Sequence, residues 1–264
     1  MDKRDIIEKI ILNKKQPNLR YSLREKTEKF TNILFYTLFD TETPVEKNLE
    51  ILEAEFYTLI SLSGWEAKSS KNVLWEKYVV TLPVILEKLN RDAEATLKCD
   101  PASMSMEEVY MAYPGFYAIA VYRLAHELHA LGFPLVPRLM TEYAHRQTGV
   151  DINPGAQIGD SFHIDHGTGI VIGETAIIKD NVKIYQGVTL GGLFVAKHLM
   201  KTKRHPTIES NVTIYANATI LGGDTVIGEN SIIGGNAWLT ASVPPNSKVF
   251  HTPEIKIKTT PHAI

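Results

Sequence analysis

Residues 150–192 read VDINPGAQIGDSFHIDHGTGIVIGETAIIKDNVKIYQGVTLGG, and residues 207–243 continue as TIESNVTIYANATILGGDTVIGENSIIGGNAWLTASV. An aliphatic residue recurs at about every sixth position of this stretch: Ile152, Ile158, Ile164, Ile172, Ile178, Ile184, Leu190, Ile208, Ile214, Ile220, Ile227, Ile233 and Leu239. A period of six fits neither an α-helix nor a simple strand. It is the period of a parallel β-helix, in which each short strand points one aliphatic side chain inward and a tight turn follows.

The residues before this array carry apolar positions at helical spacing, as in Leu52, Phe56, Leu59 and Ile60. We expect Gly64 to end one helix, Ser69 or Ser70 to cap the next, and Pro83 to kink or break a longer one. The sequence therefore predicts an α+β chain. It has a helical N-terminal domain over 1–149, a β-helix over 150–250 with a loop at 191–206, and a flexible tail over 251–264.

Composition limits the classes of function. The formal net charge is −2 and charged residues make up 22% of the chain, a balance that does not indicate a nucleic-acid-binding protein. Cys99 is the single cysteine, which excludes an internal disulfide framework and suits a reducing compartment. We find no signal-peptide pattern at the N-terminus and no apolar run of membrane-spanning length, so we expect a cytoplasmic protein.

The six-residue repeat is interrupted at three places. The step from Ile164 to Ile172 is eight residues, and the step from Ile220 to Ile227 is seven. Between them lies the loop 191–206, which is rich in lysine and histidine and ends on Arg204 and His205. Insertions that leave a solenoid often carry its binding function, so we expect the functional groups at these breaks.

The titratable residues near the breaks suit acyl transfer. They are Asp151, His163, Asp165, His166, Arg204 and His205. A histidine oriented by a carboxylate can remove the proton of an alcohol, and an arginine can bind a substrate carboxylate through two N–H groups. A neutral imidazole or a backbone N–H can stabilise the oxyanion of a tetrahedral intermediate. This set of groups fits transfer of an acyl group from a thioester to a hydroxyl.

Residues 100–250 resemble the serine O-acetyltransferase family, whose members are acetyl-CoA-dependent enzymes of the left-handed β-helix superfamily. The resemblance lies in Asp100-Pro101, VDINPGAQIG, HIDHGTGIVIGETA, QGVTLGG, the RHP of 204–206 and ILGG. It implies a left-handed coil, with His166 as the general base on the serine hydroxyl and Asp151 as its orienting partner. It places Asp100 and Asp165 near the substrate ammonium group, Arg204 on the substrate carboxylate, and His205 beside the substrate or the oxyanion.

The same resemblance implies ligands and partners. Acetyl-CoA would lie in the groove between neighbouring coils, near Gly192, Ala216 and Gly235, and no metal is expected. Members of the family form trimers that pair into hexamers, with sites between subunits, and many are inhibited by L-cysteine. Many also bind O-acetylserine sulfhydrylase through a C-terminal isoleucine, which Ile264 matches.

The chain departs from the family pattern in two regions. The loop 191–206 is longer than in many members and lacks the glycine-rich run often found there. Its lysines, Lys197, Lys201 and Lys203, either reach the phosphates of CoA or simply face solvent. Residues 1–90 carry no motif that matches the family.

Three other interpretations stay open. A hexapeptide-repeat acyltransferase acting on an amino sugar or antibiotic would share the coil and one histidine. A hydratase resembling the γ-class carbonic anhydrases would use zinc on His163, His166 and His205, although the spacing is wrong for that family. In a non-catalytic scaffold, the coil would be a structural rod and the histidines would be turn residues without a function. We interpret His163 as structural, and His126, His129 and His145 as helix-face residues rather than metal ligands.

Overall fold

A computed structural model of the chain describes residues 2–14, 20–193 and 202–252. The helices are α1 (Lys3–Asn13), α2 (Tyr21–Phe39), α3 (Val45–Ser63), α4 (Lys71–Val79), α5 (Leu82–Cys99), α6 (Met106–Ala112), α7 (Pro114–Ala130) and α8 (Val136–Thr148). The strands are β1 (Asp151–Ile152), β2 (Gln157–Ile158), β3 (His163–Asp165), β4 (Val171–Ile172), β5 (Ile177–Ile178), β6 (Lys183–Tyr185), β7 (Thr189–Gly191), β8 (Thr207–Ile208), β9 (Thr213–Ile214), β10 (Thr219–Leu221), β11 (Val226–Ile227), β12 (Ile232–Ile233), β13 (Trp238–Leu239) and β14 (Lys248–Val249).

Local sequence signals set the helix ends as expected. Gly64 ends α3 in a left-handed backbone conformation, with φ of 67°. The Ser70 hydroxyl caps α4 by accepting the Val73 N–H. The predicted break near Pro83 is also confirmed, because α4 ends at Val79 and Pro83 stands in the first turn of α5. Among the described helices, none is both long and apolar enough to cross a membrane.

The strands form a three-sided parallel coil. Face A consists of β1, β4, β7, β10 and β13; face B of β2, β5, β8 and β11; and face C of β3, β6, β9, β12 and β14. Every third strand pairs in parallel, so the chain visits the faces in the order A, B, C and rises one strand per turn. The predicted parallel β-helix is confirmed.

The hexad residues fill the interior of the coil. Those from Ile152 to Ile233 are all buried, whereas Leu239 is half-buried where the coil ends. Each such burial contributes about 1.5–3 kcal/mol relative to an exposed side chain. The loop 191–206 leaves this register intact, because Leu190 still pairs with Ile220 and Ile178 with Ile208 on either side of it.

A buried ion pair joins the helices to the first turn of the coil. Arg123 of α7 donates to the two carboxylate oxygens of Asp92 of α5 at 2.6 and 2.9 Å. The same guanidinium donates to the backbone carbonyls of Ile158 and Gly159, and Asp92 accepts the N–H of Phe162. This network fixes α5 and α7 on the coil, so residues at the end of α5 have a defined position beside face C.

Candidate active site

Two edges of the coil carry the candidate residues. The C–A edge, where the chain turns from face C to face A, consists of residues 166–170, 186–188, 216–218 and 234–237. The A–B edge, where it turns from face A to face B, consists within the described residues of 153–156, 173–176, 192–193, 202–206 and 222–225. Face A lies between them. His166 is on the C–A edge, and Arg204 and His205 are on the A–B edge.

His166 stands at the eight-residue step of the repeat. Its backbone is in the left-handed region, with φ of 57°, which is uncommon for a residue other than glycine. Its side chain is 71% exposed, and Nε2 lies 3.7 Å from Oδ1 of Asp165. The inserted turn therefore presents an imidazole outward beside a carboxylate, as a general base requires.

Asp100, at the C-terminal end of α5, is held as a carboxylate. Tyr113 donates its hydroxyl to Oδ2 at 2.6 Å, and the N–H of Ala102 donates to Oδ1 at 2.8 Å. These two hydrogen bonds lower the pKa of Asp100, and the charges of His163 and His166 lower it further. The carboxylate consequently lies within electrostatic reach of His166.

Asp151, the expected orienting partner of His166, has a different contact. Its Oδ1 lies 3.2 Å from Nη1 of Arg138 in α8, and Arg138 also pairs with Glu142. Within the described residues there is no hydrogen bond between Asp151 and His166. Among the described residues, the carboxylate that pairs with His166 in the single chain is that of Asp165.

His205 is a neutral imidazole with a defined tautomer. The N–H of Thr175 donates to its Nδ1 at 3.1 Å, so the proton of the neutral ring is on Nε2. The Thr175 hydroxyl also contacts Nδ1 at 2.8 Å. Burial, together with the positive charges of Arg204 and Lys203, lowers the pKa of His205 to about 4. His205 can therefore offer an uncharged N–H to a developing oxyanion.

The ring of His205 packs directly against the backbone of Gly173. A Cβ at position 173 would lie 2.0 Å from the imidazole, which no side chain allows. Glycine in the IVIGETA block thus makes room for the histidine of the RHP segment.

Arg204 is held on the same edge. Its guanidinium pairs with the carboxylate of Glu174, and its backbone N–H donates to the Thr175 hydroxyl at 2.9 Å. The adjacent residues Glu174 and Thr175 therefore position Arg204 and His205 respectively. A guanidinium held in this way can bind a substrate carboxylate.

The structure does not bring the two clusters together within one chain. Within one turn of the coil, the strand of face A and the residues next to it separate the two edges. At roughly 3.3 Å per residue, this separation is about 15 Å. The predicted CoA-binding residues divide in the same way: Ala216 and Gly235 lie on the C–A edge, and Gly192 lies on the A–B edge. Lys203 reaches the backbone carbonyl of His205, whereas Lys197 and Lys201 lie outside the described residues.

Three further histidines, His126, His145 and His163, have structural contacts. His163 is buried, with Nδ1 3.0 Å from the Thr96 hydroxyl, and burial lowers its pKa. Nδ1 of His126 lies 2.8 Å from the carbonyl of Pro154. Glu142, His145 and Asp151 lie close enough to hold a metal ion, but Arg138 already pairs with both carboxylates. This group is thus better described as an ion-pair network than as a metal centre.

Sequence reasoning missed the residues that hold the candidates in place. They are Tyr113 for Asp100, Arg138 for Asp151, Glu174 for Arg204 and Thr175 for His205. Glu174 and Thr175 stand in the second turn of the array, directly after a strand, and that position could have indicated them. Tyr113 and Arg138 carry no such signal, because their contacts depend on how the helices pack.

Known proteins resemble the chain in sequence and in fold. A serine acetyltransferase of Helicobacter pylori is 47% identical over 124 residues, which cover 47% of this chain and 70% of that protein. The crystal structure of serine acetyltransferase isoform 3 from Entamoeba histolytica, in complex with cysteine, superposes with a TM-score of 0.76 at 34% identity, covering 89% of this chain and 84% of the other. The chain belongs to the serine acetyltransferase family. A scan against models of protein families finds no match.

Other serine acetyltransferases extend this picture. A plasmid-encoded one from Synechococcus elongatus is 51% identical over 144 residues, 53% of this chain and 45% of that protein, so the chain spans about half the length of such curated relatives. Solved serine acetyltransferases include one from Neisseria gonorrhoeae with serine, at 28% identity, TM-score 0.64 and coverage of 86% and 82%. Another, from Brucella abortus with coenzyme A, has 29% identity, TM-score 0.64 and coverage of 86% and 80%.

Proposed function

We propose that the chain transfers the acetyl group of acetyl-CoA to the hydroxyl of L-serine, giving O-acetyl-L-serine and CoA, the first step of cysteine synthesis from serine. The observation that carries this proposal is the exposed imidazole of His166, whose Nε2 lies 3.7 Å from the carboxylate of Asp165 and which has Asp100 within electrostatic reach. These groups suit a substrate that has both a hydroxyl to deprotonate and an ammonium group to bind. Family members solved with serine and with coenzyme A support the two substrates.

In the proposed reaction, Nε2 of His166 accepts the proton of the serine hydroxyl as the oxygen attacks the thioester carbonyl. The new C–O bond gives a tetrahedral intermediate whose oxyanion accepts the Nε2–H of His205. The C–S bond then breaks, and the imidazolium of His166 returns its proton to the departing sulfur, which leaves as CoA thiol. Arg204 binds the serine carboxylate, while Asp100 and Asp165 bind its ammonium group. The family resemblance assigns the orientation of His166 to Asp151, although Asp151 pairs with Arg138 in the single chain.

This mechanism needs both edges of face A, so we infer that the working form is a homotrimer. In a cyclic assembly, the C–A edge of one subunit meets the A–B edge of the next, and each such interface is equivalent. His166, Ala216 and Gly235 would come from one subunit, and Arg204, His205 and Gly192 from its neighbour. Acetyl-CoA would then lie across the interface, on largely backbone groups. The residues 1–149 would contribute Asp100 and pair trimers into hexamers, whereas 150–250 would form the catalytic coil.

Three further features belong to this proposal. L-cysteine would act as an inhibitor in the serine pocket, as the E. histolytica complex with cysteine suggests. O-acetylserine sulfhydrylase would bind the tail 251–264 through Ile264, which lies outside the described residues. The single cysteine of the sequence suits the cytoplasm, where these reactions would take place.

The decisive experiment measures release of the CoA thiol from acetyl-CoA with L-serine, L-homoserine, an amino sugar and water as acceptors. We expect L-serine to be preferred by kcat/KM. Preference for the amino sugar would favour the other hexapeptide-repeat acyltransferases. No transfer to any acceptor would contradict an acyltransferase function.

A further inference from the structure

An aromatic residue stands next to the acidic pair on face C. Tyr185 of β6 is the register partner of Asp165 of β3. Adjacent strands of a sheet are about 4.8 Å apart, and Ile164 and Ile184, which precede these residues, both point into the core. The side chains of Asp165 and Tyr185 therefore project outward side by side.

A second tyrosine fixes the orientation of the ring. Tyr215 follows β9 at the next level of face C, and its ring stacks on that of Tyr185 with centroids 4.9 Å apart and an interplanar angle of 25°. Because Tyr215 covers one ring face of Tyr185, the other ring face is directed toward the level of Asp165. Tyr185 is half-buried between the levels of Asp165 and Tyr215, and the side chain of Tyr215 is 43% exposed.

The surroundings of Tyr185 are negatively charged. Burial and Tyr215 raise the pKa of its hydroxyl, and the charges of Asp165 and Asp100 raise it further, so both carboxylates lie within electrostatic reach of the ring. Tyr113 and Ala102 keep Asp100 ionised. An aromatic face beside two carboxylates is the combination that binds organic ammonium groups.

We propose that Tyr185 is a substrate-binding residue that contacts the ammonium group of the amino-acid acceptor through its ring face, opposite Asp165. Tyr215 is a positioning residue that fixes the orientation of this ring by stacking on its other face. The proposal rests on the proposed function, and it assigns to the ring a share of the selection for acceptors that carry an amino group. The phenol hydroxyl has no part in it.

The test compares Tyr185→Leu with Tyr185→Phe. Leucine removes the aromatic face, and we expect the KM for L-serine to rise about 3- to 30-fold, the range of a cation–π contact, while the KM for acetyl-CoA stays within twofold. Phenylalanine keeps the face, and its KM for L-serine should stay within twofold. Tyr36→Leu, at an exposed tyrosine of α2, is the matched control and should leave both constants unchanged.

Two competitive inhibitors separate ammonium binding from general damage. L-alanine keeps the ammonium group of serine, and propanoate lacks it. Tyr185→Leu should therefore weaken inhibition by L-alanine by the same factor as it raises the KM for L-serine, and it should leave inhibition by propanoate unchanged. Tyr215→Leu should show the same selectivity with a smaller effect, which keeps the test available if the first variant folds poorly.

If Tyr185→Leu weakened inhibition by L-alanine and by propanoate equally, or left the KM for L-serine unchanged, the role of Tyr185 would be overturned and the proposed function would stand. A wild-type protein that releases no thiol with L-serine would overturn the proposed function, and this inference with it.

Discussion

Asp92 and Arg123 form a buried ion pair that belongs equally to the helices and to the coil, because each also bonds to the backbone between Ile158 and Phe162. The carboxylate and the guanidinium are almost completely shielded from solvent. Removing one partner leaves an uncompensated charge in the interior, which is more costly than removing both.

Asp92→Asn should therefore destabilise the chain by about 3–5 kcal/mol. Asparagine keeps the shape but leaves the Arg123 charge unpaired. Denaturant unfolding followed by circular dichroism measures the change. Glu8→Gln removes an exposed ion pair with Arg4 in α1 and should change stability by less than about 0.5 kcal/mol. Similar values for both variants would contradict a structural role for the buried pair.

His166→Ala should reduce kcat by about 10²–10⁴-fold, the usual contribution of a general base. Thiol release at saturating L-serine and acetyl-CoA measures this loss. His251→Ala, at an exposed histidine beyond β14, serves as the control and should keep the parent rate. Activity of His166→Ala within a few-fold of the parent would remove His166 from the base role.

Arg204→Ala should raise the KM for L-serine by at least about tenfold and the KM for acetyl-CoA much less, because a charge-assisted contact to the substrate carboxylate is lost. Glu174→Gln keeps Arg204 but weakens the pair that holds it, so it should shift the same constant in the same direction by a smaller factor. If the KM for acetyl-CoA rose instead, Arg204 would be a CoA-binding residue.

The stability of the folded chain should decline between pH 6.5 and about 4 in part because of His205. Its folded-state pKa of about 4 lies below the ordinary value of 6.5, so the unfolded chain binds more protons across that interval. The contribution of His205 is complete above pH 6.5 and is lost as the pH falls toward 4. His205→Asn keeps an acceptor for the Thr175 N–H without a titrating ring, and its unfolding free energy should depend less steeply on pH. Identical slopes for the two proteins would mean that His205 is not held neutral by its surroundings.

Subunits of His166→Ala and Arg204→Ala should restore activity to each other when they are refolded together. If every site takes His166 from one subunit and Arg204 from the next, random mixing leaves about one interface in four intact, and about a quarter of the parent activity should return. Thiol release at low L-serine concentration measures this, with each variant refolded alone as the control. A mixture no more active than the mean of the two variants would place the whole site within one chain.

The hexad repeat was sufficient to predict the coil, because burial of one aliphatic residue per strand is a local pattern that the chain repeats thirteen times. The breaks in that pattern also indicated His166, Arg204 and His205, since a turn that departs from the repeat must be stabilised by other contacts. The helix ends at Gly64 and Ser70 followed from backbone conformation and capping, which depend on a few neighbouring residues.

The long-range contacts could not be predicted in this way. Asp92 and Arg123 are 31 residues apart, and nothing in either helix indicates that they meet. The pairing of Asp151 with Arg138 likewise depends on the packing of α8 against the start of the coil. The stacking of Tyr185 on Tyr215 depends on how the two rings orient outside the coil after β6 pairs with β9, and the repeat does not specify side-chain orientation.

The loop that leaves the coil after Gly191 and returns at Thr207 has a consequence for how such chains diverge. Because the strands on both sides keep their partners, segments of different length can be exchanged at this corner without disturbing the layers above and below it. The surface chemistry at this corner can therefore change through the connecting segment alone, without any change in the strands that support it.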